Sequence, residues 1–348
     1  MKLFTTLCVM ISVLACVVTA DAFDEVSRRS DKAVKGNITG VTKDGVKIKP
    51  PTGAEVTVPA NDIADIRWDD EPLSLQGARI AAKNGNSESA LEELKKSAAD
   101  SKAKGDIKAE IDYLTASIIA QNGLGQSDIA QLEDAATKLD AFSKANGSNA
   151  RYFDAVYLLG RVQLARQEFD GAASAFQQLS QAPWSDYKMA AQNATAKLAL
   201  KKGDLAAALA SFEGVLGQSA KSPAEISRRN EALLGKATVT LKQGNAQQAL
   251  DTINEAIQAA DPEDSGVQAE AFVRKGDSLR LLGKTKEAIL AYLHVPVLFE
   301  KEAALNAEAL FHLSSLWSAA GQPERGLAAS QELRDNYPNT EWAQKLGQ

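Results

Sequence analysis

Two different hydrophobic periods divide this chain near residue 70. Before that point apolar and polar residues alternate, as in residues 45–49 and 54–58. After it, apolar residues recur every three or four positions, which places them along one face of a helix. Alternation in β-branched residues predicts strands with one buried face. The sequence therefore predicts a small β module followed by a long, mainly α region.

The β module is expected over residues 36–70 and has four alternating segments, at residues 36–41, 45–49, 54–58 and 63–68. Asp44-Gly45 indicates a hairpin, because both residues tolerate the positive φ angles of tight turns. Residues 23–35 are predicted to be a linker. A sheet of this size buries little surface on its own. We therefore expect it to pack on the first helices, with Trp68 and Pro72 at the junction.

The strand pattern of this module resembles a reduced SH3-like or Sm-like barrel. Two roles are open for it. As a barrel it would bind a ligand such as cell-wall glycan or peptide. As an N-terminal cap it would cover the apolar end that a helical stack otherwise exposes.

A small residue recurs along the α region at intervals of roughly 40 residues. The positions are Ala90, Ala130, Ala172, Ala208, Ala249, Ala288 and Gly326. Five residues before them stand Gly85, Gly125, Gln167, Gly203, Gly244, Gly283 and Gly321. A chain that leaves a helix often needs a left-handed residue, which glycine adopts without steric cost. The pattern predicts about seven helix pairs over residues 73–345.

Two of these pairs have the clearest pattern. The first combines Gly160, Ala172 and Phe176, and the second combines Gly276, Ala288 and Tyr292. We expect each glycine to face the alanine of its partner helix, because small side chains let two helices approach closely. The aromatic residue lies one helical turn beyond the alanine and is expected to fill the gap to the next repeat.

Helix pairs of this kind resemble tetratricopeptide repeats, whose usual period is about 34 residues. The longer repeat period of this chain implies longer helices or longer loops than the family usually has. The ending Tyr337-Pro338-Asn339-Thr340 resembles a junction found in repeats of exported bacterial envelope proteins. The resemblance implies an α-solenoid of about seven pairs, whose concave face binds proteins or peptides.

In this family, partner-binding side chains lie three residues before, one after and four after the small residue of the first helix. Carried onto this sequence, the resemblance implies a candidate groove of Tyr157, Arg161, Asn193, Lys197, Thr238, Asp277 and Arg280. Arg161 and Lys197 offer donors to a carboxylate. The chain lacks the fixed order of Lys and Asn that a carboxylate clamp requires, which argues against a C-terminal-peptide binder of that type.

The first 22 residues have the three-part pattern of a secretory signal peptide. Lys2 precedes an almost wholly apolar run, and small residues follow up to Ala22. We expect cleavage after Ala20 or Ala22, and location in the periplasm, in the cell envelope or outside the cell. The apolar run is shorter than the roughly 20 residues that cross a bilayer, although an uncleaved anchor stays an alternative. Cys16 ends a lipobox-like segment, and peripheral membrane attachment is expected only if it is lipidated.

Composition and motifs give little indication of a catalytic, metal-binding or nucleic-acid-binding site. The net charge is −6 with no basic stripe, which argues against nucleic acid as a partner. Cys8 and Cys16 are the only cysteines, so the folded part has no thiolate site. His294 and His312 have no His, Cys or Asp at metal-ligand spacing on a helix. We therefore predict no catalytic residue, metal or cofactor.

These features together predict an exported, non-enzymatic scaffold that binds protein or peptide partners on the concave face of a repeat array, in envelope assembly or maintenance. The alternative is a cell-wall or glycan-binding protein. It would use the β module, with Trp68 as a stacking surface and the array as a spacer.

Overall fold

The structure, a computed structural model, describes residues 23–346. The predicted signal peptide and both cysteines lie outside these residues. The described residues begin with five antiparallel strands: β1 (Asp24–Arg28), β2 (Val34–Thr42), β3 (Gly45–Lys49), β4 (Val56–Pro59) and β5 (Ile63–Arg67).

Fifteen helices follow within the described range, and the first fourteen form seven antiparallel pairs. Their bounds are α1 (Leu73–Lys83), α2 (Ser87–Ala98), α3 (Gly105–Gln126), α4 (Ile129–Ala145), α5 (Tyr152–Ala165), α6 (Phe169–Leu179), α7 (Ser185–Lys201), α8 (Leu205–Leu216), α9 (Pro223–Lys242), α10 (Ala246–Ala259), α11 (Ser265–Leu281), α12 (Thr285–Leu298), α13 (Ala303–Ala319), α14 (Pro323–Asn336) and α15 (Glu341–Lys345). None of them has the length and apolar character that crossing a bilayer requires. The predicted mainly α solenoid of seven helix pairs is confirmed.

The sheet has the order β4-β3-β2-β1-β5, with a 3-10 turn over Ala60–Asp62 between β4 and β5. The prediction of four strands was wrong by one, because β1 lies within the interval that was predicted to be a linker. This strand contains a single fully buried apolar residue, Val26, so it shows almost no alternation. It nevertheless pairs with both β2 and β5 and joins the two parts of the sheet.

The β module packs on α1, as expected. Trp68 contacts both the core of the sheet and the core of the first helices, and Pro72 precedes α1. The sheet core also includes Ala150 and Trp184, from the loops before α5 and α7. The module therefore covers the side of the array at these two helices, which the sequence did not predict.

The turns inside the helix pairs largely follow the prediction. Gly85, Gly203, Gly244, Gly283 and Gly321 have φ angles between +71° and +86°. The second pair is an exception, because Ser127 takes the left-handed conformation there and Gly125 stays within α3. The predicted small residue Ala130 is consequently exposed. Leu132 is buried in its place, and its backbone nitrogen lies 3.0 Å from the position a Cβ on Gly123 would take.

The aromatic residues of the two clearest pairs reach the next pair, as predicted, because Phe176 packs with Ala194 and Leu198 of α7 and Tyr292 stacks on His312 of α13. They also fill space within their own pair. A Cβ added to Gly160 would lie 2.4 Å from Cε1 of Phe176, and one added to Gly276 would lie 2.6 Å from Cε1 of Tyr292. Each ring therefore occupies the space above the glycine of its own pair. The glycines are therefore needed to admit an aromatic ring. Gly160 faces an alanine as well, because its added Cβ would lie 3.1 Å from Cβ of Ala175.

The second and seventh pairs meet although four other pairs separate them. A Cβ added to Gly125, near the end of α3, would lie 3.1 Å from Cβ of Ala303 at the start of α13. Contacts between α3 and α13 accompany this approach. The array therefore curves far enough to bring distant repeats together.

Candidate partner-binding surface

The first helices of successive pairs turn polar side chains toward one another, on what we call the inner surface. Lys197 Nζ of α7 lies 4.0 Å from Glu270 Oε2 of α11, although α9 stands between these helices in the array. The residues that define the inner surface are Tyr157, Arg161, Asn193, Lys197, Arg228, Glu231, Glu270, Arg274, Asp277, Arg280, Glu308 and His312.

The first part of this surface is built around Tyr157. The guanidinium groups of Arg161 and Arg228 lie 5.8 Å and 5.6 Å from the centre of its ring, which is the range of a cation–π contact. Arg228 also forms an ion pair with Glu231 on its own helix. Burial raises the pKa of Glu231, but Arg228 and Lys197 lower it more, so the carboxylate stays ionised.

Asn193 and Lys197 complete this part from α7. Asn193 is only 1% exposed, and its Nδ2 donates to the carbonyl oxygen of Arg228 at 2.8 Å. It therefore fixes α7 against α9 and offers little to a partner. The side chain of Lys197 is 41% exposed, and the carboxylate of Glu270 raises its pKa.

The second part of the surface is a polar cluster between α11 and α13. Arg274 donates from Nη1 to Oδ2 of Asp277 at 2.5 Å and from Nη2 to Oε2 of Glu308 at 2.7 Å. The hydroxyl of Tyr292 donates to Oδ1 of Asp277 at 2.7 Å. Burial, followed by the charge of Asp277, raises the pKa of Tyr292. Burial also raises the pKa of Glu308.

His312 lies beside this cluster, with Nε2 3.6 Å from Oδ1 of Asp277. Its ring stacks on Tyr292. Burial lowers the pKa of His312 to about 4, Asp277 opposes this shift, and Arg280 adds to it. The imidazole is therefore neutral at neutral pH.

The structure gathers most of the predicted groove residues into these two parts. Tyr157, Arg161, Asn193 and Lys197 belong to the first, while Asp277 and the exposed Arg280 belong to the second. Thr238 makes no side-chain contact with either part among the hydrogen bonds and ion pairs of residues 23–346, and its hydroxyl donates to the carbonyl oxygen of Leu234 on its own helix at 2.9 Å.

Sequence reasoning missed the acidic side of the inner surface. Glu231, Glu270 and Glu308 recur at the repeat interval, spaced by 39 and 38 residues, on the first helices of three successive pairs. That recurrence was a readable signal, but the family pattern used for prediction does not include the position. Arg228 and Arg274 were missed for the same reason.

The inner surface has five positive side chains, one lysine and four arginines, against four carboxylates. Its carboxylates all have basic partners, in the pairs Glu231–Arg228, Glu270–Lys197, Asp277–Arg274 and Glu308–Arg274. Among residues 23–346 no carboxylate oxygen lies within 4.0 Å of the Arg161 or Arg280 guanidinium nitrogens, although Arg161 is near enough to Glu231 to help Arg228 and Lys197 lower the pKa of that carboxyl. The arrangement can therefore present two guanidinium groups to an anionic partner.

Comparison with family models gives matches over much of the array. A model described as tetratricopeptide repeat matches residues 123–187, 193–265 and 234–295, and a second model of the same description matches residues 308–340. Together the matches cover more than half of the chain. Comparison with curated protein sequences gave no match.

Several solved structures have a similar fold. A tetratricopeptide repeat protein from Parabacteroides merdae aligns with a TM-score of 0.51 and 17% identity, over 78% of this chain and 95% of that chain. NprR in complex with its cognate peptide NprX aligns with a TM-score of 0.56 and 15% identity, over 79% and 82% of the two chains. A Rap protein complexed with Competence and Sporulation Factor gives 0.51 and 12%, over 79% and 77%. With its repeats matched by family models and its fold shared with these structures, this chain belongs to the tetratricopeptide repeat family.

Proposed function

We propose that this protein is an exported, non-enzymatic scaffold that binds a protein or peptide partner on its inner surface. The observation that carries the proposal is the presence there of Arg161 and Arg280, two cations that form no ion pair within 4.0 Å in residues 23–346. Acidic side chains of a partner would supply the missing charge and fix its orientation. The similar structures of NprR with NprX and of Rap with Competence and Sporulation Factor support binding by this kind of array.

The proposed partner segment is acidic and carries an apolar or aromatic group for the exposed part of Tyr157. Arg161 and Arg228 already lie near this ring, so an acidic group bound by Arg161 would come close to the ring as well. Such a mixed contact combines a charge-assisted hydrogen bond with buried apolar area.

We further propose that the β module supports the array rather than acting as a separate glycan-binding domain. Its loops reach the first turns of α5 and α7, where Arg29 pairs with Asp154 at 3.1 Å and Asn61 donates to Asp186 at 2.9 Å. Trp68 is partly buried between the sheet and the first helices, which leaves less of its ring for a sugar. The SH3-like or Sm-like nature of the module stays a prediction.

Export is proposed from the signal-peptide pattern of residues 1–22. N-terminal sequencing of the protein from a periplasmic fraction of its host tests it. A new terminus after Ala20 or Ala22 supports cleavage, and a lipid-modified Cys16 supports the anchored form. An intact N-terminus on protein found only in the cytoplasm contradicts export.

The binding proposal is best tested with point variants of residues 23–348, because deleting the β module would uncover the buried contacts that it makes with α5. Wild-type residues 23–348, the variant R161E and the control variant R334E would each be immobilised as bait to capture partners from envelope extract of the host. Arg334 lies exposed on α14, away from the inner surface, and forms no ion pair within residues 23–346.

We expect wild type and R334E to recover the same protein and R161E to recover at least about tenfold less. Removing one partner of a charge pair that becomes buried in a complex costs about 2–5 kcal/mol. Equal recovery on R161E contradicts binding at the inner surface. Retention of purified wall material by all three baits, without a protein, favours the glycan alternative.

A further inference from the structure

Three side chains of the types that bind metal ions converge on the inner surface between the sixth and seventh pairs. Glu308 and His312 lie one turn apart on α13, and Asp277 faces them from α11. One ligand atom from each residue lies within 4.8 Å of the others. We propose that Asp277, Glu308 and His312 bind a divalent first-row metal ion such as Zn²⁺.

The separations suit an open site that tightens slightly around the ion. Ligand bonds of about 2.1 Å hold neighbouring ligand atoms about 3 Å apart. Side-chain rotations that move the ligand atoms by about 1 Å would therefore complete the coordination. Glu308 and His312 share one face of a well-formed helix, since residues four apart are neighbours. This pairing escaped the sequence analysis, which looked for His, Cys or Asp near His312 and not for Glu.

The hydrogen bonds in the cluster leave the required lone pairs available. Arg274 engages Oδ2 of Asp277 and Oε2 of Glu308, which leaves Oδ1 of Asp277 and Oε1 of Glu308 for the ion. Oδ1 accepts from the Tyr292 hydroxyl and retains a second lone pair. Within residues 23–346 the ring of His312 makes no hydrogen bond.

Arg274 and Tyr292 thus take the place of the outer contacts that orient metal-binding carboxylates in proteins. The same arginine reduces the negative charge of the cluster, so binding should be weaker than at a structural zinc site. One imidazole nitrogen and two carboxylate oxygens favour a borderline transition metal over Mg²⁺ or Ca²⁺, which prefer oxygen ligands alone.

Occupancy of this site would join two repeats. Asp277 belongs to the sixth pair and the other two ligands belong to the seventh, so an ion bound there stabilises the interface between α11 and α13. The inference is independent of the proposed partner, because it rests on this cluster alone.

The chain offers a matched control, because it contains only two histidines. His294 stacks on Phe272, and Nδ1 of its ring lies 2.7 Å from the carbonyl oxygen of Leu290. Residues 23–348, treated with a chelator, would be titrated with Zn²⁺ by calorimetry, as wild type, H312Q, E308Q and H294Q. Mn²⁺ added to the wild type would be followed by NMR of the two imidazole rings.

By calorimetry we expect wild type and H294Q to bind one equivalent of Zn²⁺, and E308Q and H312Q to bind it at least about tenfold more weakly. By NMR we expect Mn²⁺ to broaden the signals of the His312 ring selectively. Mg²⁺ should not compete at equal concentration. The NMR measurement needs no variant, so it decides the matter even if H312Q folds poorly. Undiminished binding in H312Q, broadening centred on His294, or no binding by wild type would each overturn the proposal.

Discussion

Replacing Arg151 with methionine tests how firmly the β module is fixed to the array. Arg151 precedes α5, and its Nε and Nη2 donate to the two carboxylate oxygens of Glu110 on α3 at 3.0 Å and 2.7 Å. Its Nη1 also reaches the carbonyl oxygen of Ile63 in β5 at 3.4 Å. The side chains of Arg151 and Glu110 are only 3% and 2% exposed. One side chain therefore links the sheet, α3 and α5.

The expected loss in the free energy of unfolding follows because both side chains of this ion pair are buried. Methionine fills much of the volume of arginine but leaves the Glu110 carboxylate buried without a cation. Breaking a buried pair in this way costs about 3–5 kcal/mol. Replacing both partners with apolar residues removes the charge penalty, so E110L/R151M should be within about 1 kcal/mol of wild type.

The free energy of unfolding would be measured by urea titration, followed by far-UV circular dichroism and by tryptophan fluorescence. Fluorescence is informative because Trp68 and Trp184 both contact the sheet core. A loss below about 1 kcal/mol in R151M would refute the assigned role of the pair. So would a double variant that is no more stable than the single one, because the penalty would then not come from an unpaired charge.

Two further predictions concern packing and acid stability. G160A should lose about 1–3 kcal/mol in urea unfolding, because its Cβ would overlap Phe176. G40A, where the new Cβ meets nothing within 4 Å, should change by less than about 0.5 kcal/mol, and equal losses would contradict this packing. Hydrogen bonds from Ser185 and from two backbone amides lower the pKa of Glu225 to about 2. The ionised Glu225 carboxylate therefore stabilises the fold above the ordinary carboxyl pKa, and this contribution is lost as pH falls toward 2. The difference in Tm between wild type and E225Q should shrink over that range. A difference in Tm that does not change with pH would refute the prediction.

The features that the sequence predicted well are those that repeat. The turn glycines and buried alanines recur with the helix pairs, because each pair solves the same packing problem. The second pair shows the limit of this reasoning. Ser127 adopts the left-handed angle there, with φ of 53°, and a serine carries no strong signal for it. The predicted positions Gly125 and Ala130 were consequently displaced from the true turn.

The inner surface was predicted only in outline for a different reason. The family pattern located Arg161 and Lys197, which lie on it, but the identity of their neighbours depends on how helices distant in sequence approach. The contact of Lys197 with Glu270 requires the curvature of the whole array. The same applies to β1, whose pairing with β5 is decided by tertiary structure and not by its own sequence.

The approach of Gly125 to Ala303 changes how this array should unfold. In a linear repeat protein each unit touches only its neighbours, so stability is a sum of local terms and the ends fray independently. Contact between α3 and α13 adds a term that couples units near opposite ends. Fraying of the seventh pair would then weaken protection from hydrogen exchange in the second, and the array would melt more cooperatively than an open stack of equal length.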